Sequence, residues 1–124
     1  MKLLLDTHAA LWWQTENRQL GREARRAIAM ADIVWVSSAV GWETAIKVAK
    51  GQLRLREPIG VTLIADDFTE LPVTLKHTEE FLRIPRLHGD PFDRMLIAQA
   101  RSEGATIVTH DRAFEKYGVP VIWT

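Results

Sequence analysis

The chain has 124 residues, of which 47% are hydrophobic and 26% charged, and it contains no cysteine. This length and composition predict a single domain over residues 1–124, and they exclude disorder, collagen-like repeats, coiled coils, disulfide frameworks and thiolate sites. Sixteen Lys and Arg residues balance sixteen Asp and Glu residues, so a nucleic-acid partner has to be recognised locally and not through a global positive field.

The first residues are apolar but do not have the pattern of a membrane span. Asp6 and His8 interrupt the run MKLLLDTHAALWW far short of the ~20 residues that a transmembrane helix needs. We therefore expect no signal peptide, no membrane partner and a cytoplasmic location, and the lack of cysteine also favours a reducing compartment.

Five short runs rich in Val, Ile and Leu predict strands. In chain order they are residues 3–6, 33–38, 72–75, 105–111 and 119–123. The predicted helices between them are residues 9–13, 22–31, 39–50, 59–68, 77–83, 91–103 and 112–117. Apolar strands without alternation, separated by helices, are typical of a parallel sheet covered on both faces. The sequence therefore predicts an α/β fold, a three-layer α/β/α sandwich with a central, mainly parallel sheet whose first strand is central.

Four acidic residues fall where predicted strands end or helices begin. Asp6 ends the first strand and Asp111 the fourth, whereas Glu43 and Asp93 lie in early turns of two helices. Functional groups of open α/β sheets collect beyond the carboxyl ends of the strands, so we expect these carboxylates to converge. Like charges at close range need a neutralising cation, and an all-oxygen site favours Mg²⁺ or Mn²⁺ over zinc.

Each of these acids also has a purely structural interpretation. Asp90, followed by Pro91 and Asp93, has the pattern of an N-cap, a first-turn proline and a first-turn acid. We favour capping alone for Asp90. For Asp93 we favour a ligand role, because the apolar residues that follow it indicate a buried helix whose start lies against the sheet.

The other three acids are ambiguous when each is taken alone. Glu43 precedes Lys47 by four residues, the favourable order for a surface ion pair on a helix, so spacing leaves its role open. Asp6 and Asp111 could each cap the next helix. Their positions at two strand ends favour a shared site.

The remaining candidates are weaker. The histidines have no metal-ligand spacing, and we expect them to form local hydrogen bonds; they are His8, His77, His88 and His110. The sequence contains no phosphate-binding loop and no GxGxxG motif. Five tryptophans are many for this length. We expect them to pack in the core or at an interface, with Trp12, Trp13 or Trp42 available for a protein interface, and base stacking by one of them is the alternative.

Four blocks of the sequence carry a resemblance to a known family. The chain resembles the PIN-domain ribonucleases, and among them the VapC-type toxins of prokaryotic toxin–antitoxin pairs, in LLLDTHAALWW, SSAVGWETAIKVAKGQLRL, DPFDRMLIAQA and TIVTHDRAFEKYGVPVI. The resemblance implies a PIN-like fold for residues 1–124. It places the family's four acids on Asp6, Glu43, Asp93 and Asp111, and so decides the role of Glu43.

The resemblance also implies a function. It predicts an endoribonuclease that hydrolyses RNA phosphodiester bonds with Mg²⁺ or Mn²⁺, acts as a toxin, forms a homodimer and is inhibited by a small cognate antitoxin protein. Asp6 and Asp93 are then direct metal ligands, Asp111 is a direct or water-mediated ligand, and Glu43 is a ligand or orients the attacking water. The resemblance gives supporting roles to Thr7 and Thr109, which adjoin the acids, and Asp90 is a further candidate for such a role beside its capping.

Three alternatives stand beside this interpretation. A receiver-like signalling domain shares the length, the α/β order and a magnesium-binding acidic pocket, but it needs an acidic pair after the first strand and an Asp after the third. Here Asp6 stands alone, and Leu75 ends the third predicted strand. The loss of an acid would favour a catalytically silent PIN-like binding module, yet all four are present. A housekeeping RNA-processing nuclease would share the site and lack toxicity.

Overall fold

A five-stranded parallel sheet forms the centre of the structure, a computed structural model that describes residues 1–124. The strands are β1 (Lys2–Leu5), β2 (Ile33–Ser37), β3 (Thr69–Leu71), β4 (Thr106–Thr109) and β5 (Val121–Trp123). The helices are α1 (Thr7–Gln14), α2 (Arg22–Met30), α3 (Ser38–Ala49), α4 (Ile59–Ala65), α5 (Leu75–Arg83) and α6 (Pro91–Glu103). A short 3₁₀ helix spans Arg112–Tyr117. The predicted α/β sandwich is confirmed.

The strand order is β3-β2-β1-β4-β5, and every neighbouring pair is parallel. The first strand is central, as predicted, and its residues Leu3, Leu4 and Leu5 are completely buried. A receiver-like sheet has its first strand between the second and the third. Because β1 here lies between β2 and β4, the topology excludes the receiver-like alternative.

The helices pack on the sheet and on one another in two groups. Helix α6 packs against α5, α3 and β4, whereas α1 packs against α3 and α4. These contacts bring the starts of α1, α3 and α6 close to the carboxyl ends of the central strands. No helix is long and apolar enough to cross a membrane.

The third strand does not lie where the sequence predicted it. The prediction was residues 72–75, but β3 is Thr69–Leu71. This strand is at the edge of the sheet, where its exposed Thr69 and Glu70 need no apolar pattern. The predicted segment starts with Pro72, and proline cannot donate to a sheet ladder. The segment instead continues into Thr74, the N-cap residue of α5.

Candidate active site

Asp6 directly follows the central strand and is 3% exposed. Its Oδ1 accepts the backbone N–H of Ala9 at 2.8 Å and so caps α1. Its Oδ2 accepts the hydroxyl of Thr109 at 2.5 Å. Burial raises the pKa of the Asp6 carboxyl, and these two hydrogen bonds oppose the rise. The carboxylate is therefore held in one orientation at the carboxyl end of β1.

Thr109, the last residue of β4, links two of the acids. Its hydroxyl donates to Asp6 and also accepts the backbone N–H of Asp111 at 3.0 Å. Asp111 in turn caps the 3₁₀ helix, since its Oδ1 accepts the N–H of Ala113 at 2.9 Å. One completely buried hydroxyl thus fixes the distance between the ends of β1 and β4.

Glu43 lies in the second turn of α3, which begins after the capping residue Ser37. Its Oε1 accepts the hydroxyl of Thr7 at 2.5 Å, and its Oε2 is 3.2 Å from the Lys47 ammonium. The ion pair expected from the spacing is therefore present. The Thr7 contact also ties Glu43 to the first residue of α1, immediately beside Asp6.

Asp90 is the N-cap of α6, as predicted. Its Oδ1 accepts the backbone N–H groups of Phe92 and Asp93 at 2.9 and 3.1 Å, and Pro91 opens the helix. Asp93 lies in the first turn, with 19% of its side chain exposed. The cap therefore directs the start of α6, and with it Asp93, toward the ends of β1 and β4.

The electrostatics of Asp93 show that the acids converge. Burial, and after it the nearby negative charges of other acids, together raise the pKa of the Asp93 carboxyl to about 7. These acids, in order of decreasing effect, are Asp90, Asp111, Asp6 and Glu43. The structure thus brings together the four acids singled out in the sequence and adds Asp90 to them.

The carboxylates are near one another but not gathered around a single point. No group of three or more His, Asp or Glu side chains is already arranged to hold a metal ion. Their oxygens instead accept hydrogen bonds from threonines and helix N-termini, as described above. The donor set is nevertheless all oxygen and carries more negative charge than the protein neutralises, which fits a hard cation such as Mg²⁺ or Mn²⁺.

Three histidines lie at the edges of this acidic cluster. His8 and His110 form an aromatic group with Trp12, with 5.1 Å between the two imidazole centroids and 4.8 Å between His110 and Trp12. Positive charge on either imidazole lowers the pKa of Asp6. His88 lies beside Asp93. The sequence signal for this position was available, since His8 and His110 are within two residues of an acid.

Comparison with known proteins gives consistent matches over nearly the whole chain. The family model described as the PIN domain matches residues 3–120. Ribonuclease VapC22 of Mycobacterium tuberculosis is 30% identical over 121 residues, which cover 95% of this chain and 93% of that protein.

Solved structures of similar fold match nearly the whole chain. The structure of VapBC2 from Rickettsia felis bound to a promoter DNA fragment contains a chain that matches with a TM-score of 0.76 and 16% identity, covering 99% of this chain and 98% of that one. A chain of FitAcB from Neisseria gonorrhoeae matches with a TM-score of 0.67 and 18% identity, covering 97% and 96%. At these identities, the structural likeness establishes the fold alone.

Proposed function

The chain belongs to the PIN domain family, in its VapC ribonuclease type, and on this basis we propose that it is a divalent-metal-dependent endoribonuclease acting as the toxin of a toxin–antitoxin pair. The observation that carries the proposal is the acidic cluster at the start of α6, where burial and the charges of four neighbouring acids together raise the pKa of Asp93 to about 7. Such a cluster destabilises a fold unless it binds a cation or a cationic partner.

The proposed reaction is hydrolysis of an RNA phosphodiester bond. When bound, one or two Mg²⁺ or Mn²⁺ ions supply a hydroxide nucleophile and stabilise the leaving oxygen. Asp6 and Asp93 would hold the ion directly, and Asp111 would hold it directly or through water. Glu43 would serve as a further ligand or orient the attacking water.

The threonines would keep these acids in place. Thr109 anchors Oδ2 of Asp6, and Thr7 anchors Oε1 of Glu43. Each hydroxyl donates a charge-assisted hydrogen bond, the stronger and more directional kind. Their role is therefore to orient carboxylates and not to take part in proton transfer.

RNA cleavage by the wild type and matched variants tests the proposed ribonuclease activity. The purified chain should cut single-stranded RNA with Mg²⁺ or Mn²⁺ and stop when EDTA is added, and Asp6→Asn or Asp93→Asn should remove the activity. Asp90→Asn should retain substantial activity because Asn caps a helix as well as Asp does. The exposed Glu79, which makes no ion pair, provides the control variant Glu79→Gln. Cleavage by Asp6→Asn at the wild-type rate would show the metal mechanism to be wrong.

An apolar groove beside the acids supports the antitoxin part of the proposal. The groove has a volume of about 720 Å³ and lies between α3, α5 and α6, and its lining residues Trp42 and Phe92 directly precede Glu43 and Asp93 in the sequence. Its lining includes Trp42, which is 65% exposed, and Phe92. We assign this groove to a segment of the antitoxin, whose Arg or Lys would then reach the carboxylates.

Growth of cells producing the chain tests the toxin role. Induction should arrest growth, and co-expression of the small protein encoded in the neighbouring reading frame should restore it. If the soluble chain with its acids intact is harmless under strong induction, a housekeeping role in RNA processing replaces the toxin role.

We also propose that the free chain is a homodimer. Leu75 and Leu82 are both exposed and lie seven residues apart on α5, so they share one face of that helix, and exposed apolar surface favours association. Light scattering should report twice 14.1 kDa. A monomeric mass at high micromolar concentration would contradict the dimer.

A further inference from the structure

Tyr117, His88 and Asp93 form a line of contacts that ends at the acidic cluster. The Tyr117 hydroxyl lies 2.5 Å from Nδ1 of His88, and Nε2 of the same imidazole lies 3.5 Å from Oδ2 of Asp93. His88 belongs to the loop before α6, and Tyr117 ends the 3₁₀ helix that Asp111 caps. The line therefore connects the two elements that carry Asp93 and Asp111.

The contact with Tyr117 favours one tautomer of the His88 imidazole. The Tyr117 hydroxyl makes no other hydrogen bond within the chain, so Nδ1 is the acceptor that the chain offers to its proton; when the hydroxyl donates to Nδ1, the neutral ring carries its hydrogen on Nε2. The opposite tautomer would leave the phenol proton without an acceptor within the chain. It would also turn the lone pair of Nε2 toward the carboxylate of Asp93, which is unfavourable.

Asp93 is the acid that lacks an anchor. The other four acids each accept at least one hydrogen bond within the chain, whereas the Asp93 carboxylate accepts none. Nε2 of His88 is shielded from solvent and also has no hydrogen-bond partner. At 3.5 Å the two atoms are slightly beyond hydrogen-bond distance. Each is thus the available partner of the other.

We propose that His88 is a positioning residue whose Nε2–H, fixed in place by the Tyr117 hydroxyl, orients the Asp93 carboxylate for metal binding. The inference rests on the proposed function, since it gives Asp93 a metal to hold. The contact would shorten to a hydrogen bond once Asp93 holds the ion, as polar contacts of free active sites commonly do. Groups that orient a metal ligand in this way typically change metal affinity by 10–100-fold.

The first test determines the tautomer directly in the metal-free chain. Nitrogen-15 chemical shifts of the His88 imidazole at pH 8 should show the hydrogen on Nε2. Tyr117→Phe, which removes only the hydroxyl, should give a mixture of the two tautomers. A wild-type imidazole with its hydrogen on Nδ1, or a tautomer unchanged in Tyr117→Phe, would overturn the inference.

The second test measures the affinity for Mn²⁺ alone by calorimetry. His88→Phe keeps a ring and loses both nitrogens, so its Mn²⁺ dissociation constant should rise about tenfold. In His88→Gln the side-chain N–H can occupy the position of Nε2–H and should restore most of the affinity, while Glu79→Gln should bind as the wild type does. Equal affinity of His88→Phe and wild type, in variants with native urea unfolding curves, would overturn the role of His88.

The two proposals fail in different ways. A wild-type chain that binds no Mn²⁺ and cuts no RNA would refute the proposed function. A wild-type chain that does both, while His88→Phe binds Mn²⁺ equally well or His88→Gln fails to restore a lost affinity, would refute only the positioning role.

Discussion

Replacing Asp93 by Asn should stabilise the metal-free protein at pH 8. The pKa of Asp93 is about 7 in the folded chain against an ordinary value of 3.8, so the folded state retains a proton that the unfolded state has released between these pH values. As pH rises through this window, ionisation therefore costs the folded state increasing free energy, and the cost is complete above pH 7. Asn has the same shape and carries no charge.

The size of the effect follows from the same pKa difference. At about 1.36 kcal/mol per pKa unit, the full cost would be about 4 kcal/mol. Because 19% of the Asp93 side chain is exposed, solvent screens part of the repulsion, and we expect a gain of about 1–2 kcal/mol. The gain should shrink by more than half at pH 5, where the wild-type carboxyl is already protonated in the folded chain.

Urea unfolding in EDTA, followed by tryptophan fluorescence, measures the gain in stability at pH 8 and its decrease at pH 5. Glu79→Gln is the matched control, since it removes an exposed acid away from the cluster and should change stability by less than about 0.5 kcal/mol at either pH. The reasoning is refuted if Asp93→Asn is less stable than wild type at pH 8, or if its advantage is the same at both pH values.

Three further predictions test other parts of the site and fold. Thr109→Val should lower the free energy of unfolding by about 1–3 kcal/mol in urea titrations, because it removes the hydroxyl that donates to Asp6 and accepts from Asp111; an unchanged stability would contradict this role. Gly104→Ala should cost about 1 kcal/mol, since Gly104 ends α6 at a φ of 68°, and the same assay decides it. Saturating Mn²⁺ should raise the melting temperature of the wild type and not that of Asp93→Asn in scanning calorimetry, and an equal rise in both would remove Asp93 from the metal site.

The central part of the fold was predictable because its sequence signals are local. Strand β1 is a continuous apolar run, and α6 begins with an aspartate cap and a proline and ends at a glycine. Strand β3 could not be found in the same way. Its residues Thr69 and Glu70 are polar and exposed, and they are extended because β2 offers an edge to pair with, which is a tertiary cause.

The site was only partly predictable for the same reason. Asp6 and Asp111 follow apolar strands, so their place at the sheet edge could be derived from the residues. Glu43 could not be separated from a surface ion pair by spacing alone, and the structure shows both its pair with Lys47 and its contact with Thr7. The approach of His88 to Tyr117 joins residues 29 positions apart, and no local pattern predicts it.

Helix capping does not conflict with the metal binding that we propose for acids such as Asp111. Asp111 and Asp90 each use Oδ1 for a helix N-terminus, and no hydrogen bond within the chain involves their Oδ2. A cap fixes the direction of a carboxylate at the cost of one oxygen, so the second oxygen points in a defined direction. Asp93 carries no cap of its own, which is why its orientation depends on a side chain from outside its helix. Carboxylates that are held by helix N-termini can therefore be in place before a cation binds. The cost of a negative charge is then greatest at Asp93, the acid whose pKa is raised to about 7.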